Sequence, residues 1–557
     1  MRDKGNGGTP GLEAAADPPA APAVAPPRAA VEGRRSELEL VSEEARDRRL
    51  LRALDITGTG KIPRRVLPEA LARCGLRHDD IRLAECMGRL DQEPDDALFS
   101  PEELLRIMRP NISLIERALR GDLIIPDFPA FCDDIREIYE TSKRNQTGKV
   151  ADYIPQLSRV NPEHYGVSLC TADGQRFSIG EVREDFSVQS CSKPINYCIA
   201  LEEHGEEVVH RTVGREPSGR GFNELSLNKD QKPHNPMINS GAIATCSLIR
   251  QKVSIADRFD YVIEQWTRLA GGIKPGFSNA IYLSERQTAD RNFALGYFMK
   301  EKRVFPEDAN LLETLEFYFQ CCSIESNAEK MAVVAATLAN GGVCPTTGTR
   351  VLKPNTVRAC LSLMYSCGMY DFSGEFAFAI GLPAKSGVSG ALMIVVPNVM
   401  GICCWAPRLD ALGNSVRGIE FCKSLVAKFN FHNYDDLVGS LGYKKDPRRR
   451  PDEMRVDVVT SLCWAASQGD LRAIQGLLAR GADLNSGDYD GRTPLHIAAS
   501  EGHQEVIEAF IARGVQLNPR DRWGHTPLDD AERGGYSAVA QRIELAGGRR
   551  GRDLPSA

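Results

Sequence analysis

Long uninterrupted apolar runs are missing from this 557-residue sequence. The longest, about 390–407, is broken by Pro397 and Asn398 and reads as a hairpin; a membrane-spanning helix needs roughly 20 apolar residues in a row. No secretory apolar segment stands near the start. Metal-ligand spacing is missing too: neither Cys-x-x-Cys nor His-Glu-x-x-His occurs, which removes the common zinc frameworks and leaves no metal site expected. The 16 cysteines are scattered, and pairs such as Cys321-Cys322 and Cys403-Cys404 stand in apolar contexts. They read as reduced core residues of an intracellular protein. A basic excess is also absent. With 69 Lys+Arg against 75 Asp+Glu the net charge is −6, which argues against a nucleic-acid partner. The basic run Lys444-Lys-Asp-Pro-Arg-Arg-Arg450 is short and contains proline, so it reads as a solvated tether.

What is present divides the chain, which is too long for a single core. Residues 1–45 are an Ala/Pro/Gly/Glu-rich tail whose composition predicts disorder. Residues 46–140 carry amphipathic runs and the phrase Asp55-Ile-Thr-Gly-Thr-Gly60, which mimics the start of an EF-hand loop. Positions three and five of that loop are uncharged Thr57 and Thr59, and position twelve is Val66, where calcium needs a bidentate Glu. The expectation is an EF-hand-like helical domain without calcium. The catalytic candidates fall within 141–435, and a linker follows at 436–455. In 456–547, Gly491-Arg-Thr-Pro-Leu-His and Gly524-His-Thr-Pro-Leu-Asp are offset by 33 residues, with Leu462 one period earlier. That is the ankyrin period, with Pro at the first helical position. Residues 548–557 are taken as a tail.

Ser190 opens an apolar segment, Gln189-Ser-Cys-Ser-Lys-Pro-Ile-Asn-Tyr-Cys-Ile-Ala-Leu201, and Lys193 follows three residues later. In a helix these two positions share a face. A serine hydroxyl is a poor nucleophile until a base accepts its proton, and a lysine is that base once burial lowers its pKa. Pro194, Ile195, Tyr197, Ile199, Ala200 and Leu201 supply an apolar wall. A helix-opening serine also serves as a plain N-cap, so a partner motif is needed. A second Ser-x-x-Lys, Ser226 with Lys229, lies in a polar segment with nothing to bury its lysine and reads as accidental.

The partner motif is Lys385-Ser386-Gly387, opening the strand-like run Ala391-Leu-Met-Ile-Val-Val396. Lys-[Ser/Thr]-Gly is the second signature of serine acyl-enzymes of the β-lactamase and penicillin-binding type. A glycine-rich strand edge points N–H groups at a developing oxyanion, and the lysine beside it holds the field positive. The fold class expected is therefore multidomain α/β: a β-lactamase/transpeptidase-like catalytic domain of antiparallel sheet plus helical subdomain, between the EF-hand-like domain and the ankyrin repeats.

Longer stretches carry a family resemblance: Gly148-Lys-Val-Ala-Asp-Tyr-Ile-Pro, Lys232-Pro-His-Asn-Pro-Met-Ile-Asn-Ser-Gly, Ser284-Glu-Arg-Gln-Thr-Ala-Asp-Arg-Asn-Phe, Phe317-Tyr-Phe-Gln and Ser366-Cys-Gly-Met-Tyr-Asp-Phe. Together with the two boxes these resemble the glutaminase family, animal members above all, over about 145–435. Ser192 and Ser240 stand where those relatives usually have Val and Ala. The resemblance implies that Ser190 is the nucleophile, Lys193 its base and Tyr370 a partner in proton transfer. It implies an oxyanion hole from the Val388 and Ser190 backbone. It places Asn239, Glu285, Asn292 and Tyr318 on the amino-acid end of L-glutamine, with Tyr153 closing the pocket. A free α-ammonium calls for a carboxylate, and Glu285 is the natural one.

The expected activity is hydrolysis of L-glutamine to L-glutamate and ammonia, with no cofactor. Rival readings are another serine amidase or esterase of this fold, and an ankyrin scaffold with an inactive enzyme domain. The resemblance further implies a homo-oligomer, dimer or tetramer, activated by inorganic phosphate; the polar, Gly-rich segment Val213–Leu227, between the nucleophile helix and Asn239, reads as a candidate gate. The repeats point to a protein partner or to a structural cap. Asp3, Glu13, Asp17 and Glu32 make a poor mitochondrial presequence, so the tail favours the cytoplasm, whereas the resemblance implies mitochondria.

Overall fold

The computed structural model describes residues 60–219, 224–435, 444–449, 451–479 and 482–555, with single positions 47, 50, 51 and 54 ahead of them. The tail 1–45 and the Asp55–Thr59 part of the EF-hand-like phrase fall outside the described residues.

The N-terminal unit pairs two short strands, β1 (Ile62–Pro63) and β2 (Leu98–Phe99), antiparallel with Ile62 opposite Phe99. Helices Val66–Arg73, Ala84–Asp91, Pro101–Met108 and Ile112–Leu119 surround them. Their apolar faces meet in one core that includes Leu67, Leu71, Leu83, Met87, Leu90 and Leu104. Beside the strand pair, Asp91 and Asp95 hold the guanidinium of Arg64, the Asp91 contact at 3.1 Å.

The central unit opens with α1 (Phe128–Lys143), capped by Asp127, whose carboxylate accepts from the Ala130 N–H. Phe128, Phe131, Ile135, Ile138 and Tyr139 bury one helical stripe. They pack into the core of the sheet, not that of the N-terminal unit. The boundary between the units therefore falls near Leu123–Ile125, earlier than the 140/141 expected from sequence, because α1 covers one face of the sheet. The strands follow as β3 (Gly166–Thr171), β4 (Arg176–Gly180), β5 (Phe186–Ser187), β6 (Gly276–Phe277), β7 (Ile324–Ser326), β8 (Ala384–Ser386), β9 (Ala391–Val396) and β10 (Met400–Trp405). Five form an antiparallel sheet in the order β4-β3-β10-β9-β8, and three form a small sheet, β5-β7-β6. The β9–β10 hairpin falls on the interrupted apolar run.

Both faces of the large sheet are covered, which is why β9 reads as continuous rather than alternating apolar sequence. Met393 and Val395 face the helical lobe; Leu392, Ile394 and Val396 face α1 and α9 (Val416–Lys428). The helical lobe consists of α2 (Ser192–Thr212), α3 (Asn239–Cys246), α4 (Asn279–Gln287), α5 (Asp290–Glu301), α6 (Leu311–Cys322), α7 (Ala328–Ala339) and α8 (Pro354–Cys367), besides Ile255–Leu269. Small residues bring α7 down on the sheet: a Cβ on Gly401 would lie 2.0 Å from the Ala336 nitrogen. This is the antiparallel sheet plus helical subdomain of the expected catalytic fold.

Three helix pairs form the C-terminal repeats: Pro451–Ser467 with Leu471–Ala479, Pro494–Ser500 with Gln504–Ala512, and Pro527–Arg533 with Ser537–Leu545. Thr493 and Thr526 close capping boxes at the two Thr-Pro-Leu motifs. The first helix begins at Pro451, inside the stretch taken as linker. Residues 548–555 also differ from a loose tail. Arg520 Nη2 donates to Gly551 O at 2.7 Å and to Leu554 O at 2.9 Å, fastening them to the final repeat.

Candidate active site

The Ser190 turn is fixed from both sides. Val188 N–H donates to Ile324 O on β7 at 2.8 Å, and Cys191 N–H returns to Val188 O at 2.9 Å. Between them Gln189 takes a left-handed backbone, φ 48°. One 3₁₀ turn, Gln189–Cys191, leads into α2, whose residues from Ser192 to Leu201 are all buried. The second Ser-x-x-Lys forms no such element: Ser226 lies outside any helix and Lys229 is exposed in a turn.

Lys193 Nζ stands 2.9 Å from Ser190 Oγ. It also donates to Asn239 Oδ1 at 2.7 Å. Burial is the main reason its pKa falls from 10.5 to about 8. A neutral amine has two N–H groups and one lone pair; with Asn239 taking one N–H, the lone pair is available to the serine proton. Asn239 is itself held: Tyr318 Oη donates to its Oδ1 at 3.3 Å, and its Nδ2 donates to Asn292 Oδ1 at 3.1 Å. Five of the sequence candidates, Ser190, Lys193, Asn239, Asn292 and Tyr318, thus form one chain of contacts running from the nucleophile turn through α2, α3, α5 and α6.

A second group gathers around Glu285 on α4. Tyr153 Oη donates to Glu285 Oε1 at 2.5 Å, and Gln189 Nε2 donates to the same atom at 3.0 Å. Glu285 is only 9 % exposed, and burial raises its carboxyl pKa against the pull of those two hydrogen bonds. Tyr153 keeps 45 % of its surface exposed, so it stands at the rim with its hydroxyl turned inward.

Tyr370 occupies a short turn, Tyr370–Phe372, with a left-handed φ of 53°. Burial pushes its phenol pKa up, and a hydrogen bond with Ser190 offsets part of that rise. Lys385 lies under its ring, Nζ 4.4 Å from the centroid. The Lys385 ammonium donates to Gly368 O at 2.9 Å and Ser386 O at 2.7 Å. Sequence reasoning placed this lysine at the strand edge as a field for the oxyanion. It is turned instead toward the Tyr370 turn, because two backbone carbonyls claim its N–H groups. Burial, then the charge of Lys193, brings its pKa down to about 7.

Val388 follows the Lys-Ser-Gly box and is half-buried against Ile154, Leu157 and Ile281. The box adjoins the nucleophile turn: a Cβ on Gly387 would lie 3.0 Å from Val188 O and 3.4 Å from Cys191 Sγ. All nine sequence candidates therefore lie in or beside one constellation. Gln189 is the member the sequence reading missed. Its signal was its place immediately before the serine.

A family model described as Glutaminase matches residues 148–434. The chain belongs to the glutaminase family. Outside that unit, an EF-hand domain model matches 48–126 and an ankyrin model of three copies matches 462–543. Among curated relatives, putative glutaminase 2 of Caenorhabditis elegans is 51 % identical over 441 residues, 77 % of this chain and 73 % of that one. The mouse protein named glutaminase liver isoform, mitochondrial, is 48 % identical over 444 residues, 79 % of this chain and 74 % of that one. The glutaminase of the cyanobacterium Trichormus variabilis is 42 % identical; the match covers 95 % of that protein but 58 % of this glutaminase. A solved structure described as the probable glutaminase ybaS superposes with TM-score 0.52 at 34 % identity, covering 54 % of this chain and 97 % of that one.

Proposed function

We propose that this chain hydrolyses the side-chain amide of L-glutamine through a γ-glutamyl ester on Ser190. The observation that carries the reading is the 2.9 Å contact between Ser190 Oγ and the buried Lys193 amine, which is held on its other side by Asn239. Neutral Lys193 takes the serine proton as Oγ attacks the carboxamide carbon. The tetrahedral oxyanion is met by the backbone N–H groups of Ser190 and Val388. Collapse expels ammonia, its proton supplied across the Lys193–Ser190–Tyr370 contacts; water then attacks the ester by the reverse path and releases L-glutamate. Glu285 receives the α-ammonium, while Asn239, Asn292 and Tyr318 address the amino-acid end and Tyr153 covers it. Every group in this scheme belongs to the chain, so it calls for no cofactor.

Ammonia release from L-glutamine by the purified protein tests the reading, with an ester and a β-lactam reporter as controls. Turnover of glutamine alone is expected. Turnover of the reporters without glutamine would replace it with a general serine hydrolase.

The same proposal extends to context. Assembly into a dimer or tetramer and activation by inorganic phosphate follow from the family resemblance. The start of the candidate gate, Val213–Glu216, is tied to the chain leading to Asn239, with Gly214 N–H on Pro233 O at 2.8 Å and Glu216 N–H on His234 O at 3.0 Å. For location, the printed names of the mouse and rat relatives favour mitochondria. No described helix is long and apolar enough to cross a membrane. The ankyrin repeats offer a surface for a protein partner.

A further inference from the structure

Two neutral donors converge on a single oxygen of Glu285. One, Tyr153, comes from the rim. The other, Gln189, comes from the residue bonded to Ser190 itself. Gln189 is 4 % exposed, and its amide nitrogen also reaches Ser187 Oγ at 3.3 Å. Its backbone is held as firmly: Ser192 Oγ donates to Gln189 O at 2.8 Å, and the Val188 N–H is fixed on β7. A glutamine at φ 48° is a left-handed residue that persists only where its surroundings over-determine it. Strain, side-chain bond and nucleophile thus meet within two consecutive residues.

We propose that Gln189 is a positioning residue that links recognition of the substrate's α-ammonium to placement of the Ser190 hydroxyl. The inference rests on the glutaminase reading above and deepens it. With Tyr153 and Gln189 on Oε1, Glu285 presents Oε2 to the ammonium. An ammonium there keeps the carboxylate charged and the Gln189 bond short, and the left-handed turn stays in register. A substrate without the ammonium leaves a buried carboxylate uncompensated, which favours its protonation. A protonated Glu285 is a weaker acceptor for Gln189, and the turn that carries Ser190 loses one of its anchors. Selectivity for an α-amino acid is then expressed in kcat as well as in KM.

The test compares wild type with Gln189→Met, which keeps side-chain length and removes the donor. Both are assayed on L-glutamine and on its des-amino analogue, the monoamide of glutaric acid. Gln189→Met should lower kcat on glutamine by about tenfold or more, with a smaller change in KM. The preference for glutamine over the des-amino analogue should fall by a similar factor, because the analogue never engaged the link. Gln189→Asn, which tolerates the left-handed backbone but is too short to reach Glu285, should behave alike and serves if the Met variant does not fold. Equal losses on both substrates would mean that Gln189 only shapes the turn, and an unchanged kcat would mean that it does nothing; either overturns the inference alone. A wild type that releases no ammonia from glutamine overturns the glutaminase reading and the inference together.

Discussion

Lys193 and Lys385 are amines held where water cannot stabilise their charge, and both titrate far below an ordinary lysine. Lys193 works as a base only when neutral. Its value of about 8 predicts that kcat/KM climbs tenfold per pH unit on the acid side and levels off above about 8, with the two amines titrating as a pair. A profile from pH 6 to 10 that stays flat would contradict this. Lys385 gives a stability prediction. Its folded value of about 7 lies below the ordinary 10.5, so between those limits the unfolded chain binds the extra proton. Raising the pH removes that preference, and the contribution of Lys385 to stability rises across the window, by at most ~1.4 kcal/mol per pH unit. Denaturant melts at pH 7.5 and 8.5 should show this slope in wild type relative to Lys385→Met; identical pH dependence would count against it. Glu285→Gln removes the charge that meets the ammonium and should weaken glutamine by ~1.5–3 kcal/mol in kcat/KM. The residue types at this site were legible from spacing and resemblance. The left-handed backbones of Gln189 and Tyr370 were not, because neither side chain signals one, nor was the direction of the Lys385 ammonium.

Among the elements, the β9–β10 hairpin and α2 were the most legible. An apolar run broken by Pro-Asn admits little else than two buried strands, and the run after Ser190 continues to Leu201 before turning polar. Most of helix α1 lies within the 46–140 stretch read as the EF-hand-like domain, yet it packs into the core of the sheet. Amphipathic spacing shows that one stripe is buried, and only tertiary packing shows against what. Intimate packing of α7 on β10 was equally hidden, although Gly401 between apolar strand residues is its trace. Gly401→Ala should be strongly destabilising, by about 3 kcal/mol or more, since the added methyl meets backbone that cannot swing aside. A thermal melt within a degree or two of wild type would show that α7 gives way.

At the scale of the whole molecule, none of the residues brought together around Ser190 comes from the repeats. The segment before them is fastened to the central unit by Lys445, which pairs with Asp134 at 2.9 Å. A chain ending after Asp446 keeps that contact and should retain measurable glutamine hydrolysis. A truncated chain that melts cooperatively yet shows no activity would mean that the repeats complete the site. Light scattering with and without inorganic phosphate tests the proposed assembly: an oligomer whose activity rises with phosphate is expected, and a fully active monomer would contradict it. All of this depends on Ser190 carrying the acyl group. Ammonia release from L-glutamine by Ser190→Ala, beside wild type and with folding checked by circular dichroism, tests that most directly. The account predicts a loss of at least about 10³-fold in kcat. A folded Ser190→Ala protein that turns glutamine over at near the wild-type rate would contradict it.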